Sequence, residues 1–118
     1  MRSPLRTESW PGLEITWLDR AAAVENLRVA ARRLREQDPA VEAVYLFGSL
    51  AAGRAAPGSD ADVLVLLSTS SLSFLDRVAA YAPRFEEVGV PVDVFVYTAA
   101  QTGHPYVRQA VGEGIRLA

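Results

Sequence analysis

Three short runs, Val41 to Phe47, Asp62 to Leu67 and Val92 to Tyr97, constrain the fold more than any other feature of the chain. Successive side chains of a strand point to opposite faces, so a strand with one face in water alternates apolar with polar residues. These runs are apolar on both faces, and such strands need cover on both sides. The segments between them can supply it. Asp19 is a candidate helix N-cap, and after it Val24, Leu27, Ala31 and Leu34 fall on one helical face, with Glu25, Arg28, Arg32 and Arg35 on the others. This spacing predicts an amphipathic helix over residues 20–37, ended by Asp38-Pro39. Ser73 followed by Asp76 resembles a capping box and predicts a second helix that buries Leu75, Val78, Ala79 and Ala82 before Pro83 stops it. Pro105 to Gly112 reads as a third helix, with Gly114 to Leu117 closing the chain. The expected class is α/β or α+β, a sheet covered by helices.

The flanking segments carry less information. Leu13 to Leu18 alternates well enough for a short strand. Residues 1–12, with Pro4, Pro11 and Gly12, read as a loose leader. A chain of 118 residues has the length of one domain, expected over residues 13–118. Trp10 and Trp17 are candidates for a partner surface, although Trp17 is expected to pack on the sheet.

Composition excludes several chemistries. With no Cys and one His, the chain has no disulfide framework, thiolate zinc site, cysteine nucleophile or His-rich metal site. Any metal must therefore be a hard cation on oxygen ligands. All 12 basic residues are Arg, which removes Schiff-base chemistry and a P-loop lysine. A formal net charge of −2 argues against general nucleic-acid binding, which leaves a basic footprint. No segment reaches the roughly 18–20 apolar residues of a membrane span, and Met1-Arg2-Ser3-Pro4 lacks a signal-peptide core. A cytoplasmic protein is expected.

The chemistry concentrates in Tyr45-Leu46-Phe47-Gly48-Ser49, a ten-residue spacer, and Asp60-Ala61-Asp62-Val63-Leu64-Val65. Residues two apart in a strand share a face, so Asp60 and Asp62 present both carboxylates to one side. Such a pair repels itself and is costly to desolvate, and a divalent cation removes both problems. Magnesium suits the arrangement because it accepts a few carboxylates, water and substrate phosphates. Asp93 is the one charged residue in its strand, on the side of Phe95 and Tyr97, and it would complete an all-carboxylate site able to hold two ions. Gly48 lets a phosphate approach the backbone, and Ser49 offers a hydroxyl and N–H groups to phosphate oxygens. Together these residues imply nucleotidyl transfer from a nucleoside triphosphate, with pyrophosphate leaving. Pro57-Gly58 in the spacer is a turn signal. His104 before Pro105 reads as a turn residue, and Tyr97 as either core or pocket lining.

Leu46-Phe47-Gly48-Ser49, the spacer and Ser59-Asp60-Ala61-Asp62-Val63-Leu64-Val65 resemble the signature of the polymerase-beta-like nucleotidyltransferase superfamily. The short length resembles its minimal nucleotidyltransferase (MNT) branch. Val92-Asp93-Val94-Phe95 resembles the third-carboxylate strand, and His104 to Ile115 the C-terminal helix and closing strand. The resemblance implies a mixed central sheet flanked by helices. It further implies Gly48 and Ser49 on the nucleotide phosphates, Asp60, Asp62 and Asp93 on Mg2+, and Asp93 assisting deprotonation of the acceptor. ATP is the implied substrate and AMP the transferred group. Where the family often carries Arg before the loop glycine, this chain has Ala52-Gly53, followed by Arg54. The chain leaves little length for an acceptor domain, so the resemblance implies a helical HEPN-type partner, with this chain as the antitoxin of a toxin–antitoxin pair. Two other readings stand beside it: a binding module that neutralises its partner by contact alone, and a homodimer that nucleotidylates a small molecule such as an aminoglycoside.

Overall fold

A computed structural model describes residues 1–55 and 60–118. The Pro57-Gly58 turn and Ser59 lie outside the described residues. The chain opens with strands β1 (Leu5–Trp10) and β2 (Leu13–Leu18), which form an antiparallel hairpin. Helix α1 (Arg20–Gln37), strand β3 (Val41–Phe47) and the single-turn helix α2 (Gly48–Ala51) follow. Then come β4 (Ala61–Leu67), α3 (Phe74–Tyr81), β5 (Val92–Thr98), α4 (Pro105–Glu113) and β6 (Ile115–Arg116). Among the described residues, four strands form one sheet in the order β5-β4-β3-β6. β4 and β5 run parallel, while β3 is antiparallel to both β4 and β6, so the sheet is mixed. None of the described helices is long and apolar enough to cross a membrane.

The two faces of the sheet are covered differently. Val44, Leu46, Val63, Val65, Val94 and Val96 form one face, and Leu27, Ala31 and Leu34 of α1 pack against them. A register irregularity between Val41 and Ala43 lets Val41 join the same core. On the other face, Phe47, Leu64 and Tyr97 pack against Val107 and Ala110 of the short α4. The predicted helix over 20–37 and the strand from Val41 to Phe47 are present with those bounds. Asp19 caps α1 by accepting from the Ala22 N–H at 3.0 Å. Tyr81 Oη donates to Asp38 Oδ2 at 2.6 Å, tying the end of α3 to the end of α1. Burial and the neighbouring Asp38 carboxylate push the Tyr81 phenol up to about 12.

Three expectations are corrected. Residues 1–12 are not a loose leader throughout, because Leu5–Trp10 pairs along its length with β2. Local alternation in β1 is too weak to announce a strand, and the pairing is what makes it one. Trp17 does not pack on the sheet; it lies in the hairpin, 39% exposed. On α3, Leu75 and Ala79 face solvent, Val78 and Ala82 are half-buried, and the buried residue is Arg77. The Arg77 guanidinium donates to the Val96 carbonyl and to Gln101 Oε1, both at 3.0 Å, and its Nε donates to the Leu72 carbonyl at 3.1 Å. A buried cation is tolerated when its donors find acceptors, and these three knit α3 to the end of β5.

Candidate active site

β3 ends at Phe47, and Gly48 adopts a φ of +77°, a left-handed conformation that side chains resist. The chain turns there into α2, whose end is held from a distance. Arg20, the first residue of α1, donates from its guanidinium to the Leu50 and Ala51 carbonyls, each at 2.8 Å. The Ser49 carbonyl accepts from the Arg54 N–H at 2.9 Å, closing the loop. A small cleft of about 80 Å³ beside the turn is lined by Gly48, Ala52 and Arg54 with Gln109 and Glu113 of α4. Arg54 thus sits beside the loop in which Ala52 replaces the expected Arg. A larger hollow of about 300 Å³ lies between α1 and residues 83–88, and its lining includes none of the three carboxylates.

The strand register assembles the acids. Phe47 is paired with Asp62 across β3 and β4, and Asp62 with Asp93 across β4 and β5. Residues directly opposite on neighbouring strands point to the same side of a sheet, so the three form a row across it. Asp60 immediately precedes β4, exposed, with the parity of Asp62. The Asp62 carboxylate lies against Gly48 so closely that a Cβ there would collide with Asp62 Oδ2. The glycine turn and the central acid therefore occupy adjoining space.

Electrostatics agree with that placement. The Asp62 carboxyl is raised above its ordinary 3.8, first by burial, then by the Asp93 and Asp60 carboxylates. Among the described residues the only ion pair is Arg6 with Asp19, so no basic side chain neutralises the row. Among the described residues no three His or acidic side chains close into a ready-made metal cage. Magnesium does not require one, since it uses one or two carboxylates together with water and substrate phosphates. An oxygen-only donor set carrying excess negative charge fits a hard divalent cation.

A carboxylic acid whose folded pKa exceeds its unfolded value takes up a proton on folding between the two. Its cost to stability is therefore fully present above the folded pKa, fades as the pH falls through it, and is gone below the unfolded value. In metal-free buffer, Asp62→Asn is expected to be more stable than the parent near neutral pH, and this gap should close as the pH falls from the raised pKa of the folded protein toward 3.8. Denaturant titrations across that range measure it, and a gap independent of pH would mean that neither burial nor the neighbouring acids raise the Asp62 carboxyl.

Several groups on this face were not singled out from the sequence. Phe95 follows Asp93 by two residues on the same side; its ring lies 5.1 Å from Tyr106 and 5.5 Å from Phe47. Tyr106 is 43% exposed, brought over the sheet by α4. Phe95 could have been found from its parity with Asp93. No local signal points to Tyr106 or Arg20, whose roles depend on distant segments. His104 is the N-cap of α4, as its turn-residue reading anticipated: its Nδ1 accepts from the Tyr106 N–H at 3.1 Å. The His104 ring stacks on Tyr97 with centroids 4.4 Å apart. Tyr97 is buried and packs with Phe47, Leu64, Val107 and Ala110, and that burial, with Tyr106 adding to it, raises its phenol above the ordinary value.

The family model for the nucleotidyltransferase domain matches residues 27–117. No curated protein matches the chain. Among solved structures, a crystal structure of a Sulfolobus solfataricus protein, provisionally assigned as a nucleotidyltransferase, superposes with a TM-score of 0.64. That alignment has 19% identity and covers 82% of this chain and 80% of the other. The crystal structure of a toxin–antitoxin with AMP-PNP superposes with a TM-score of 0.56 at 23% identity, covering 79% of this chain and 72% of that one. At these identities the structural likeness establishes the fold.

Proposed function

The chain belongs to the nucleotidyltransferase domain family, and from that premise we propose that it transfers AMP from ATP to a hydroxyl of a partner protein. The proposed setting is a toxin–antitoxin pair in which this chain is the MNT antitoxin and the partner is a helical HEPN-type protein. The observation that carries the reading is the row Phe47–Asp62–Asp93 with the Gly48 turn packed against its central acid. The toxin–antitoxin structure with AMP-PNP supports both the adenine nucleotide and the partner.

In this reading Asp60, Asp62 and Asp93 would hold Mg2+. When bound, the metal supplies positive charge to the triphosphate and to the oxygens of the in-line displacement. Gly48, lacking a side chain, lets the phosphates reach the backbone, and the Ser49 hydroxyl donates to a phosphate oxygen. Asp93, at the exposed end of the row, takes the proton of the acceptor hydroxyl. The acceptor oxygen forms its bond to the α-phosphorus as the bond from that phosphorus to the bridging oxygen breaks, and pyrophosphate leaves. Phe95 and Tyr106 flank Asp93's side of the face and shape the approach of the acceptor. Residues 13–118 act in this reading as the single catalytic domain.

Intact-mass measurement of the neighbouring encoded protein after co-expression tests the proposal. The expected result is a gain of one or more AMP masses that is absent with Asp60→Asn. No gain with the parent enzyme, or the same gain with the variant, would overturn it. Neutralisation of the partner by an Asp60→Asn, Asp62→Asn double variant would instead favour inhibition by contact, and AMP on an aminoglycoside with no protein labelled would favour a small-molecule acceptor.

A further inference from the structure

Arg20 lies outside the matched family region, which starts at residue 27, and its position breaks a local rule. It is the first residue of α1, where the positive end of the helix dipole disfavours a cation. No acidic residue stands in the first turn, and the neighbouring Asp19 carboxylate is engaged by the Ala22 N–H and by Arg6. Among the described residues Arg20 forms no ion pair. Its guanidinium instead reaches residues 30 and 31 positions along the chain. Nε donates to the Leu50 carbonyl and Nη2 to the Ala51 carbonyl, each at 2.8 Å. Those carbonyls end α2, where a helix leaves acceptors without helical donors. A residue placed against its own helix but satisfied by a distant one is the kind of local conflict expected at a functional site.

The segment that Arg20 holds needs outside support. α2 is a single turn, too short to be stable alone. It runs between two left-handed residues, Gly48 at a φ of +77° and Gly53 at +74°. The Leu50 side chain anchors it in the core, and Arg20 supplies a second fixed point. Arg20 Nε also lies 3.9 Å from the place that a Cβ of residue 53 would take, so the guanidinium sits against the closing half of the turn. The support is itself firm, because α1 is an 18-residue helix capped by Asp19, with Ala23 and Leu27 fully buried. We propose that Arg20 is the positioning residue of this turn: by clamping the Leu50 and Ala51 carbonyls, it sets where the Gly48 backbone and the Ser49 hydroxyl meet a nucleoside triphosphate. The inference rests on the phosphate-binding role proposed above for Gly48 and Ser49, and Arg20 acts through the turn, not by contact with substrate. A turn that is already ordered loses less free energy when the phosphates arrive. Contacts made equally in the bound substrate and the transition state set KM, not kcat. Losing the clamp therefore weakens nucleotide binding and leaves the chemical step nearly as fast.

Arg20 is exposed, so Arg20→Ala leaves the core intact. Amide exchange and nucleotide affinity of the full chain test the clamp. The Ala52, Gly53 and Arg54 N–H groups bond to the Gly48, Leu50 and Ser49 carbonyls. Without nucleotide, these three amides should exchange about tenfold faster in Arg20→Ala, while the interior of α1 exchanges as before. The Kd for AMP-PNP with Mg2+ and the KM for ATP should both rise about tenfold, with kcat within about twofold of the parent. Arg20→Lys should recover only part of each effect, because an ammonium keeps the charge without the fork that spans two carbonyls. Unchanged exchange or unchanged affinity would overturn the inference. So would a loss confined to kcat with a lower melting temperature, which marks a merely structural role, or full recovery with Lys, which marks charge alone. A parent that binds AMP-PNP but transfers no AMP would remove the transfer reading and leave exchange and affinity to decide this one. A parent that binds no nucleotide would overturn both.

Discussion

Asp62→Asn is expected to lower nucleotidyl transfer at least about a hundredfold, the scale of losing one preorganised electrostatic contact at a reacting phosphate. The same change should leave the fold as stable as the parent or slightly more stable. The two effects have one cause. Asp62 is the central member of the row, paired by register with Asp93 on one side and Phe47 on the other. Its carboxyl is held above the ordinary range by burial and by two neighbouring acids. Asn keeps the shape and removes the charge, so the repulsion disappears together with the affinity for a cation. Solvent screens these partly exposed groups, which limits the stability gain. Transfer from labelled ATP and thermal melts of both proteins measure the pair of effects. A melting temperature several degrees lower would make Asp62 a structural residue. Transfer at the parent rate would remove the carboxylates from the reaction.

The sequence spoke clearly where a signal was local and only partly where it was not. Alternation places Asp62 with Leu64 and Leu66 on one side of a strand, and Asp93 with Phe95 and Tyr97, and the structure bears out those parities. Which strand neighbours which depends on chain reversal and loop closure, so the pairing of Asp62 with Asp93 could only be expected from the need of a lone acid for partners. Helix α1 was legible to its ends because Asp19 and Asp38 mark them and its apolar stripe is long. Helix α3 misled because eight residues make barely two turns, so the apolar face can be rotated at small cost. Arg77 found acceptors in the nearby Leu72 carbonyl and in the Val96 carbonyl and Gln101 amide farther along the chain, and satisfying them set that rotation. Arg20 holds the end of α2 across 31 positions of sequence, a contact that no local pattern announces. Strand β1 is the same case: with Thr7, Glu8 and Ser9 in its middle, it is a strand because β2 lies beside it.

Gly48→Ala is expected to destabilise the fold by about 2–3 kcal/mol and to cost transfer more than tenfold, through two separable terms. The first is conformational: a φ of +77° costs a residue with a Cβ about 1–2 kcal/mol. The second is steric: the new Cβ would collide with Asp62 Oδ2 and stand 3.3 Å from Asp62 Cγ, so the carboxylate must leave its place in the row. A double-mutant cycle separates the terms, because Asp62→Ala removes the colliding atoms and leaves the backbone conformation as it was. Gly48→Ala should then be less costly in the Asp62→Ala background than in the parent, by the size of the steric term. Equal costs in the two backgrounds, measured by denaturant unfolding, would show that Asp62 is not held against the turn. Unequal costs would mean that the space needed by a phosphate approaching the Gly48 backbone and the space holding the central acid are bounded by the same missing side chain. On that result, a side chain at position 48 would disturb the seat of the triphosphate and the acid row together.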